Sequence, residues 1–407
     1  MTPDRTFVIA GAGMAGGKAA ETLREEGFDG RMVLVGAEPE RPYERPPLSK
    51  DYLRGEAERQ TVYLHEERFY EKHAIELSTG RTAERLDPSA GELTLDDGER
   101  LRYDALLLAT GAEPRRLDVP GDGLDGVHYL RTLADSDELH GRLGRGGALV
   151  VVGAGWIGCE VAASARQLGL EVTIVGQQSV PLERVLGPEL GAFYRDVHAD
   201  HGVRFLGGAG VEAFEGGTAV ERVRLSDGRT LDCDLVAVGV GVVPRTRLAE
   251  LAGLAVDDGI VCDERLETSA AGVFAAGDVA SARHPLYDRH VRVEHWATAL
   301  NQGPAAARSM LGGSDPYDRL PYFFSDQYDL GMEYVGFARE WDRVVFRGDV
   351  ASREFIAFWV HEDRVVAGMN VNVWDVVEPI ERLISERAPV DDERLADPDV
   401  ALEELRR

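Results

Sequence analysis

Two glycine-rich turns are the residues of this sequence best suited to chemistry. The first is Gly11-Ala12-Gly13-Met14-Ala15-Gly16, directly after the apolar run Phe7–Ala10. The second is Gly153-Ala154-Gly155-Trp156-Ile157-Gly158, directly after the apolar run Ala148–Val152. In a strand–turn–helix unit, such glycines form the turn, admit a pyrophosphate close to the backbone and let the helix pack on its strand. One match is weak evidence, because glycine turns often only connect a strand to a helix. Two matches indicate two dinucleotides, and therefore most simply an enzyme that passes electrons between them.

An acid and a lysine add to this pattern. Glu38 follows the first glycine turn by about 20 residues, where a ribose hydroxyl partner belongs in such units. The alternative is an ordinary acidic residue of a polar loop.

The chain has 45 basic residues, of which only Lys18, Lys50 and Lys72 are lysines. Lys50 lies in the proline- and arginine-rich loop 39–60, which is stiff enough to position a side chain, although it also suits an ordinary surface connection. A solvated face accounts for the other two lysines.

Predicted elements surround these residues. Residues 6–38 predict a β-α-β unit with its helix at Ala15–Glu25 and its second strand at Arg31–Gly36, and residues 148–240 repeat this pattern. Two further predicted strands, within 103–112 and 272–278, also end in small-residue turns.

The chain changes character after a predicted linker at 114–126 and again at about residue 321. From there, an aromatic cluster, a strand at Phe355–Val360 and a helix at 376–386 indicate a separate α+β domain. We expect the last ~15 residues, which are highly charged, to be loosely held.

Composition excludes several classes of function. The 407 residues carry a formal net charge of −27, which argues against nucleic acids and anionic membrane surfaces as partners. No apolar run is long enough to span a membrane. The first residues run into a predicted strand without a signal-peptide region, so we expect a cytoplasmic protein.

The three cysteines, Cys159, Cys233 and Cys262, lack the spacing of a redox disulfide or of metal ligands, and we predict no metal site.

The chain resembles the FAD-dependent NAD(P)H:ferredoxin reductases of the putidaredoxin reductase type, which serve cytochrome P450 and ring-hydroxylating oxygenase systems. The resemblance covers essentially the whole chain. Besides the glycine turns it is carried by these motifs: Pro46-Pro47-Leu48-Ser49-Lys50, Ala109-Thr110-Gly111, Tyr129-Leu130-Arg131-Thr132, Gly277-Asp278, Glu294-His295-Trp296 and Ser325-Asp326-Gln327-Tyr328.

The resemblance implies an α/β fold with two Rossmann-like domains and a C-terminal α+β domain. An FAD-binding domain would comprise residues 1–115 and 245–320, and an NAD(P)-binding domain would comprise residues 116–244. Residues 321–407 would cover the flavin edge and dock the partner.

The resemblance also implies site residues. The implied FAD contacts are Gly11, Gly13, Ala15, Gly16, Glu38, Arg45, Lys50, Ala83, Thr110, Gly111, Arg131, Gly277, Asp278 and Trp296. The implied NAD contacts are Gly153, Gly155, Ile157, Gly158, Glu160, Gln177, Arg184 and Gly241. Family members often carry the FAD ribose acid at the position of Ala37, and an NAD ribose acid at the position of Gly176. We favour NADH and leave NADPH possible, and because Gly176 is not an acid we expect weaker discrimination between the two coenzymes than in relatives that carry one.

Lys50 and Glu160 are the implied catalytic residues. They would form an ion pair beside the flavin, where Lys50 stabilises negative charge on the reduced flavin and Glu160 holds Lys50 and meets the nicotinamide. The alternative for Glu160 is an acid that only complements the helix dipole. His295 is expected to be structural.

The implied partner is an iron–sulfur ferredoxin that docks near Phe324, and the expected oligomeric state is a monomer or weak dimer. Basic residues that relatives often place at the flavin mouth are replaced here by Pro304 and Glu333. A related flavoprotein with another acceptor is an alternative, such as a rubredoxin reductase or an NADH oxidase. Peroxidases and disulfide reductases of this fold use a cysteine near the flavin. Residues 39–55 contain no cysteine, which disfavours these enzymes. An NADH-responsive redox sensor like apoptosis-inducing factor is a further alternative.

Overall fold

The computed structural model describes residues 5–405. Its β-strands are β1 Thr6–Ala10, β2 Arg31–Gly36, β3 Glu76–Thr79, β4 Ala83–Asp87, β5 Glu92–Leu95, β6 Arg100–Arg102, β7 Ala105–Leu108, β8 Ala112–Pro114, β9 Val127–Tyr129, β10 Ala148–Val152, β11 Glu171–Val175, β12 Arg204–Leu206, β13 Val211–Gly216, β14 Val220–Leu225, β15 Thr230–Asp232, β16 Leu235–Val238, β17 Val242–Pro244, β18 Ile260–Cys262, β19 Val273–Ala275, β20 Ala280–His284, β21 Arg289–Val291, β22 Tyr322–Gln327, β23 Leu330–Gly336, β24 Arg343–Asp349, β25 Glu354–His361 and β26 Arg364–Val371.

The α-helices are α1 Met14–Glu25, α2 Asp51–Arg54, α3 Phe69–Lys72, α4 Leu133–Leu143, α5 Trp156–Gln167, α6 Glu183–Leu186, α7 Pro188–Asp200, α8 Arg247–Leu251, α9 Trp296–Met310, α10 Val377–Glu386 and α11 Asp392–Ala396. Short 3₁₀ helices cover Pro46–Ser49, Arg59–Val62 and Leu402–Glu404.

The first of two compact units comprises residues 5–44, 62–113 and 244–323. Its parallel sheet has the strand order β19-β7-β1-β2-β3. The central strand β1 is apolar and buried from its second residue onward, as expected for a strand covered on both faces. Helix α9 approaches α1 closely, because a Cβ on Gly303 would lie 2.3 Å from the carbonyl oxygen of Ala15. This contact fixes α9 beside the first glycine turn.

The second unit comprises residues 45–61, 114–243 and 324–405. A parallel sheet of order β12-β11-β10-β16-β9 repeats the strand–turn–helix arrangement. A second five-stranded sheet, of order β22-β23-β26-β25-β24, is formed from the C-terminal part of the chain. Its core contains Phe355, Phe358 and Trp359, which are fully buried. Trp359 Nε1 donates to the carbonyl oxygen of Leu186 at 3.2 Å, which ties this sheet to α6.

Both predicted glycine-turn units are confirmed, with helices that begin at Met14 and Trp156. The prediction of a loosely held C-terminus is wrong for the residues described. Leu395 and Leu405 are fully buried. The Arg347 guanidinium also donates to the carbonyl oxygen of Pro398 at 3.2 Å. Apolar residues spaced among the charges anchor this segment. The three domain boundaries predicted from the resemblance remain a prediction.

No helix among residues 5–405 has both the length and the apolar character that crossing a membrane requires.

Candidate functional site

The first glycine turn leaves room in front of α1. Gly11 has φ +127°, and a Cβ there would lie 2.0 Å from the carbonyl oxygen of Ala109. A Cβ on Gly16 would lie 1.9 Å from the carbonyl oxygen of Gly11, so both positions require glycine. Gly13 is different, because a Cβ there would meet nothing within 4 Å. Gly13 caps α1 without a side-chain hydrogen bond, so the first amides of the helix face open space. This cradle fits a pyrophosphate.

Two polar groups of the same unit lie just after strands β2 and β7. The hydroxyl of Tyr43 donates to the Glu38 carboxylate, which orients it, whereas the neighbouring Ala37 is exposed. Thr110 Oγ1 donates to the carbonyl oxygen of Arg245 at 2.9 Å, and Gly111 has φ +68°. Tyr43 was missed by sequence reasoning, because nothing in its spacing singles it out.

The third small-residue turn also belongs to this unit. The amide of Gly277 donates to Gln302 Oε1 at 2.9 Å, and Gly277 has φ +81°. Asp278 follows, and Trp296 is the first residue of α9. His295 stacks on Phe323 with ring centroids 4.3 Å apart, which supports the structural role expected for it.

The second glycine turn has the same construction within the second unit. A Cβ on Gly153, where φ is +106°, would lie 2.2 Å from the carbonyl oxygen of Gly239. Gly155 faces open space and caps α5 without a side-chain hydrogen bond. Ile157 is 46% exposed, which is unusual for a large apolar residue at a helix start. An apolar surface beside an open phosphate cradle fits a nicotinamide dinucleotide.

The two turns can be compared residue by residue. The amide of the first glycine in each turn donates at 2.8 Å to the carbonyl oxygen of a strand residue, Val35 in one copy and Val175 in the other. Glu38 is three residues after Val35, and Gln178 is three residues after Val175. Gln178 therefore occupies the position in the second copy that Glu38 occupies in the first. Gln177, which sequence reasoning selected, is exposed one position earlier. The internal repeat therefore adds Gln178 as a candidate for the coenzyme ribose.

Gly176 lies against the second turn itself. A Cβ on Gly176 would lie 3.1 Å from the Cβ of Ala154, which is tighter than most side-chain contacts. Arg184 is exposed on α6, and α6 is held to the turn because the amide of Leu182 donates to the carbonyl oxygen of Ala154 at 2.9 Å. A side chain at 176 would therefore require Ala154 to shift by a few tenths of an ångström.

The expected ion pair is present within the second unit. Lys50 Nζ lies 3.1 Å from Glu160 Oε2 and also donates to the carbonyl oxygen of Pro46 at 3.1 Å. Lys50 is only 8% exposed and Glu160 only 4%. Ser49 donates to the same Oε2 atom. A buried ion pair with several hydrogen bonds is unusual and costly to build, which favours a functional role over a helix-dipole role alone.

Arg45, Arg131 and Phe324, which were also named from the sequence, lie in the same unit as this ion pair. The Arg45 guanidinium donates to the carbonyl oxygen of Arg131. The Phe324 ring centroid is 5.5 Å from Lys50 Nζ, and this ring is partly exposed. Of the other selected residues, Ala83 begins β4 in the first unit, and Gly241, with φ +100°, precedes β17 in the second.

The three cysteines of the chain are all buried. Burial raises the pKa of the Cys159 thiol well above its usual range, and raises that of Cys233 to about 12. These thiols therefore stay protonated and unreactive at neutral pH.

His198 is a buried neutral histidine, and this predicts a loss of stability in acid. Burial lowers its pKa from 6.5 to about 4, with a further lowering by His201 and a partial offset from its hydrogen bond to Gln327. Between these values the unfolded chain binds a proton that the folded chain does not, so stability falls as the pH falls from 6.5 to 4. We expect this imidazole to account for about 3 kcal/mol of that loss.

Urea unfolding of the wild type and of His198→Leu between pH 7.5 and 4.5 measures this contribution. The variant is less stable at pH 7.5 because it loses two buried hydrogen bonds, and the difference narrows in acid. A difference that stays constant with pH would contradict the expectation.

Comparison with known proteins assigns the fold and site to a class. Residues 5–303 match the family described as pyridine nucleotide-disulphide oxidoreductase, and residues 322–406 match the family described as reductase C-terminal. The chain therefore belongs to the pyridine nucleotide-disulphide oxidoreductase family, and it is an FAD- and NAD(H)-dependent oxidoreductase of α/β fold.

Full-length relatives narrow the class. The chain is 40% identical to the ferredoxin–NAD(+) reductase component of an anthranilate 1,2-dioxygenase system from Burkholderia cepacia, over 97% of this chain and 98% of the relative. It is 37% identical to putidaredoxin reductase from Pseudomonas putida, over 100% of this chain and 97% of the relative. A crystal structure of a covalent putidaredoxin reductase–putidaredoxin complex matches with a TM-score of 0.96 at 37% identity, over 99% of this chain and 98% of that one. The resemblance to ferredoxin reductases is confirmed.

Proposed function

We propose that this protein passes electrons from NADH through FAD to an iron–sulfur ferredoxin, which in turn feeds a cytochrome P450 or a ring-hydroxylating oxygenase. The observation that carries the proposal is the combination of two open glycine turns with three buried cysteines. Sites for two dinucleotides favour electron transfer from one to the other, and all three thiols of the chain are buried, so none can take up the electrons. The electrons must therefore leave to an external acceptor, and the full-length relatives are named for a ferredoxin.

The proposed FAD site uses the first glycine turn for the pyrophosphate and Glu38 for the adenosine ribose. Ala83, Thr110, Gly111, Gly277, Asp278 and Trp296 complete it, together with Arg45, Lys50 and Arg131. When bound, FAD accepts a hydride and returns its electrons singly, which is what a one-electron iron–sulfur acceptor requires.

The chain's own task is positioning and charge. The proposed coenzyme site uses Gly153, Gly155, Gly158 and Gly241 for the backbone approach, with Ile157, Gln177, Gln178 and Arg184 around the rest of the molecule. The Lys50 ammonium supplies a fixed positive charge for the electron-rich product of hydride transfer, and Glu160 holds that ammonium in place. A cytoplasmic location and a monomeric or weakly dimeric state remain predictions.

Anaerobic and aerobic turnover distinguish the proposal from its alternatives. We expect NADH consumption to be slow with oxygen alone and to rise strongly when oxidised ferredoxin is added in excess over NADH, with or without oxygen. An NADH oxidase would turn over with oxygen alone. A redox sensor would consume NADH slowly with every acceptor and would form a long-lived charge-transfer complex.

Coenzyme selectivity is expected to be modest in the wild type and to sharpen in a double variant. An acid at 176 would accept from the 2′-hydroxyl of NADH and repel the 2′-phosphate of NADPH. Its Cβ would crowd Ala154, so Ala154→Gly combined with Gly176→Glu should raise the NADH to NADPH ratio of kcat/KM by about tenfold or more. Gly176→Glu alone should also raise the NADH preference, but by less, because its Cβ crowds Ala154.

Ala154→Gly alone is the matched control and should leave the selectivity ratio unchanged. If the wild type already prefers NADH by many orders of magnitude, residues other than 176–178 set the choice.

Ferredoxin docking is expected to depend little on long-range charge. The chain's net charge of −27 repels an acidic partner, and Pro304 and Glu333 stand where relatives carry basic residues. We propose that the partly exposed Phe324 ring is the apolar contact. Raising the ionic strength should then leave kcat/KM for ferredoxin unchanged or increase it, because salt screens repulsion. Flavin reduction by NADH at the same salt concentrations is the control, and a steep fall with salt would reveal an attractive basic patch.

A further inference from the structure

A chain of buried hydrogen bonds leads away from Glu160 to residues that the reaction above does not use. Ser325 Oγ lies 2.7 Å from Glu160 Oε1, and Gln327 Nε2 lies 3.2 Å from Ser325 Oγ. His198 Nε2 lies 3.0 Å from Gln327 Oε1, and His198 Nδ1 lies 3.0 Å from the hydroxyl of Tyr328. Ser325, Gln327 and His198 are 1%, 2% and 0% exposed. Burial of this many polar groups is costly unless each is paired, as these are.

The direction of every hydrogen bond follows from the carboxylate at one end. An ionised carboxylate only accepts, so Ser325 donates to Glu160. The Ser325 oxygen then accepts from the Gln327 amide nitrogen, which turns the Gln327 amide oxygen toward His198. His198 therefore carries its proton on Nε2, and its Nδ1 accepts from the hydroxyl of Tyr328. All four hydrogen bonds point toward Glu160.

The far end of the chain lies at a tight turn. Tyr328 has φ +60° and is the first of the two turn residues between β22 and β23, where a positive φ is common. Its ring stacks on His201 with centroids 3.7 Å apart and planes 5° apart.

The near end controls the orientation of the carboxylate. Lys50 and Ser49 contact Oε2 of Glu160, whereas Ser325 contacts Oε1. Contacts on both oxygens fix the plane of the carboxylate as well as its position.

We propose that Ser325, Gln327 and His198 are positioning residues, which hold Glu160 oriented for its pairing with Lys50 and its contact with the nicotinamide. The contact with nicotinamide rests on the proposed function, whereas the hydrogen-bond chain does not. The segment after residue 324 thereby acts on the coenzyme site through Glu160.

Nitrogen-15 NMR of the histidines in the oxidised holoprotein tests the direction of the chain. With the His198 signals assigned by a His198→Gln variant, we expect the Nε2-protonated tautomer at pH 7.5. In Ser325→Ala the constraint on Gln327 is gone, and we expect a mixture of tautomers. An Nδ1-protonated His198 in the wild type would overturn the proposal.

Stopped-flow reduction by NADH tests the positioning role. Ser325→Ala should reduce the flavin about tenfold more slowly at saturating NADH, because a charge-assisted hydrogen bond is lost, while the Kd for NAD+ changes little.

Ser136→Ala is the matched control. This serine is equally buried in the same unit, but it donates to the carbonyl oxygen of Leu48 at 2.9 Å, whereas Ser325 donates to Glu160 itself. It should leave the His198 tautomer unchanged. If both variants slow reduction equally and neither changes the His198 tautomer, Ser325 serves packing only. Neither measurement uses ferredoxin, so a failure of the proposed acceptor would be seen separately.

Discussion

Replacing Lys50 with methionine is expected to slow flavin reduction by NADH about 10²–10³-fold, the loss typical when one fixed charge-stabilising donor is removed from an active site. The ammonium is buried, and it lies 3.1 Å from Glu160 Oε2. Stopped-flow absorbance of the flavin at saturating NADH measures the rate constant. Lys72→Met is the matched control, because Lys72 is exposed, and it should leave the rate unchanged.

Loss of Lys50 also leaves Glu160 buried without its cation, which costs about 3–5 kcal/mol of stability. The double variant Lys50→Met with Glu160→Gln removes both charges. We expect it to regain most of the stability and none of the rate. Recovery of the rate together with the stability would show that the pair only maintains the fold, and an unaffected rate in Lys50→Met would remove Lys50 from the site.

Two valine substitutions are expected to separate the two dinucleotide sites. At Gly13 and at Gly155 a Cβ meets nothing within 4 Å, so the fold accepts a side chain that would fill the space reserved for a pyrophosphate. Gly13→Val should weaken FAD binding, and Gly155→Val should weaken NADH binding while FAD stays bound. Each loss should be about a hundredfold, since crowding and lost amide hydrogen bonds each remove about 1–3 kcal/mol.

Each variant is the control for the other. The flavin content of the purified protein and the Kd for NAD+ measure the two effects, and circular dichroism checks the fold. Weakened FAD binding in both variants, or in neither, would contradict the assignment of one dinucleotide to each turn.

The sequence was sufficient for the elements that depend on local pattern. The glycine turns, the strands before them and the helices after them were predicted because local backbone geometry demands glycine at Gly11 and Gly16. The C-terminal segment was mispredicted because its charge hides single leucines, such as Leu395, whose burial depends on distant strands. No local rule reveals that contact.

The site was predictable only in part for the same reason. The pairing of Lys50 with Glu160 came from a family resemblance, since the two residues are far apart in sequence. Ser325, Gln327 and His198 come together only through the packing of α7 against residues after 324. The crowding between Ala154 and Gly176 likewise needs coordinates, because sequence spacing does not show that these two positions approach each other.

An anaerobic double-mixing experiment tests the central claim most directly. The holoprotein is first reduced with one equivalent of NADH and then mixed with an oxidised iron–sulfur ferredoxin. We predict that the flavin absorbance recovers as the ferredoxin is reduced, and faster than oxygen alone restores it. A flavin that stays reduced in the presence of ferredoxin but is rapidly oxidised by oxygen or peroxide would contradict the assignment of this protein as a ferredoxin reductase.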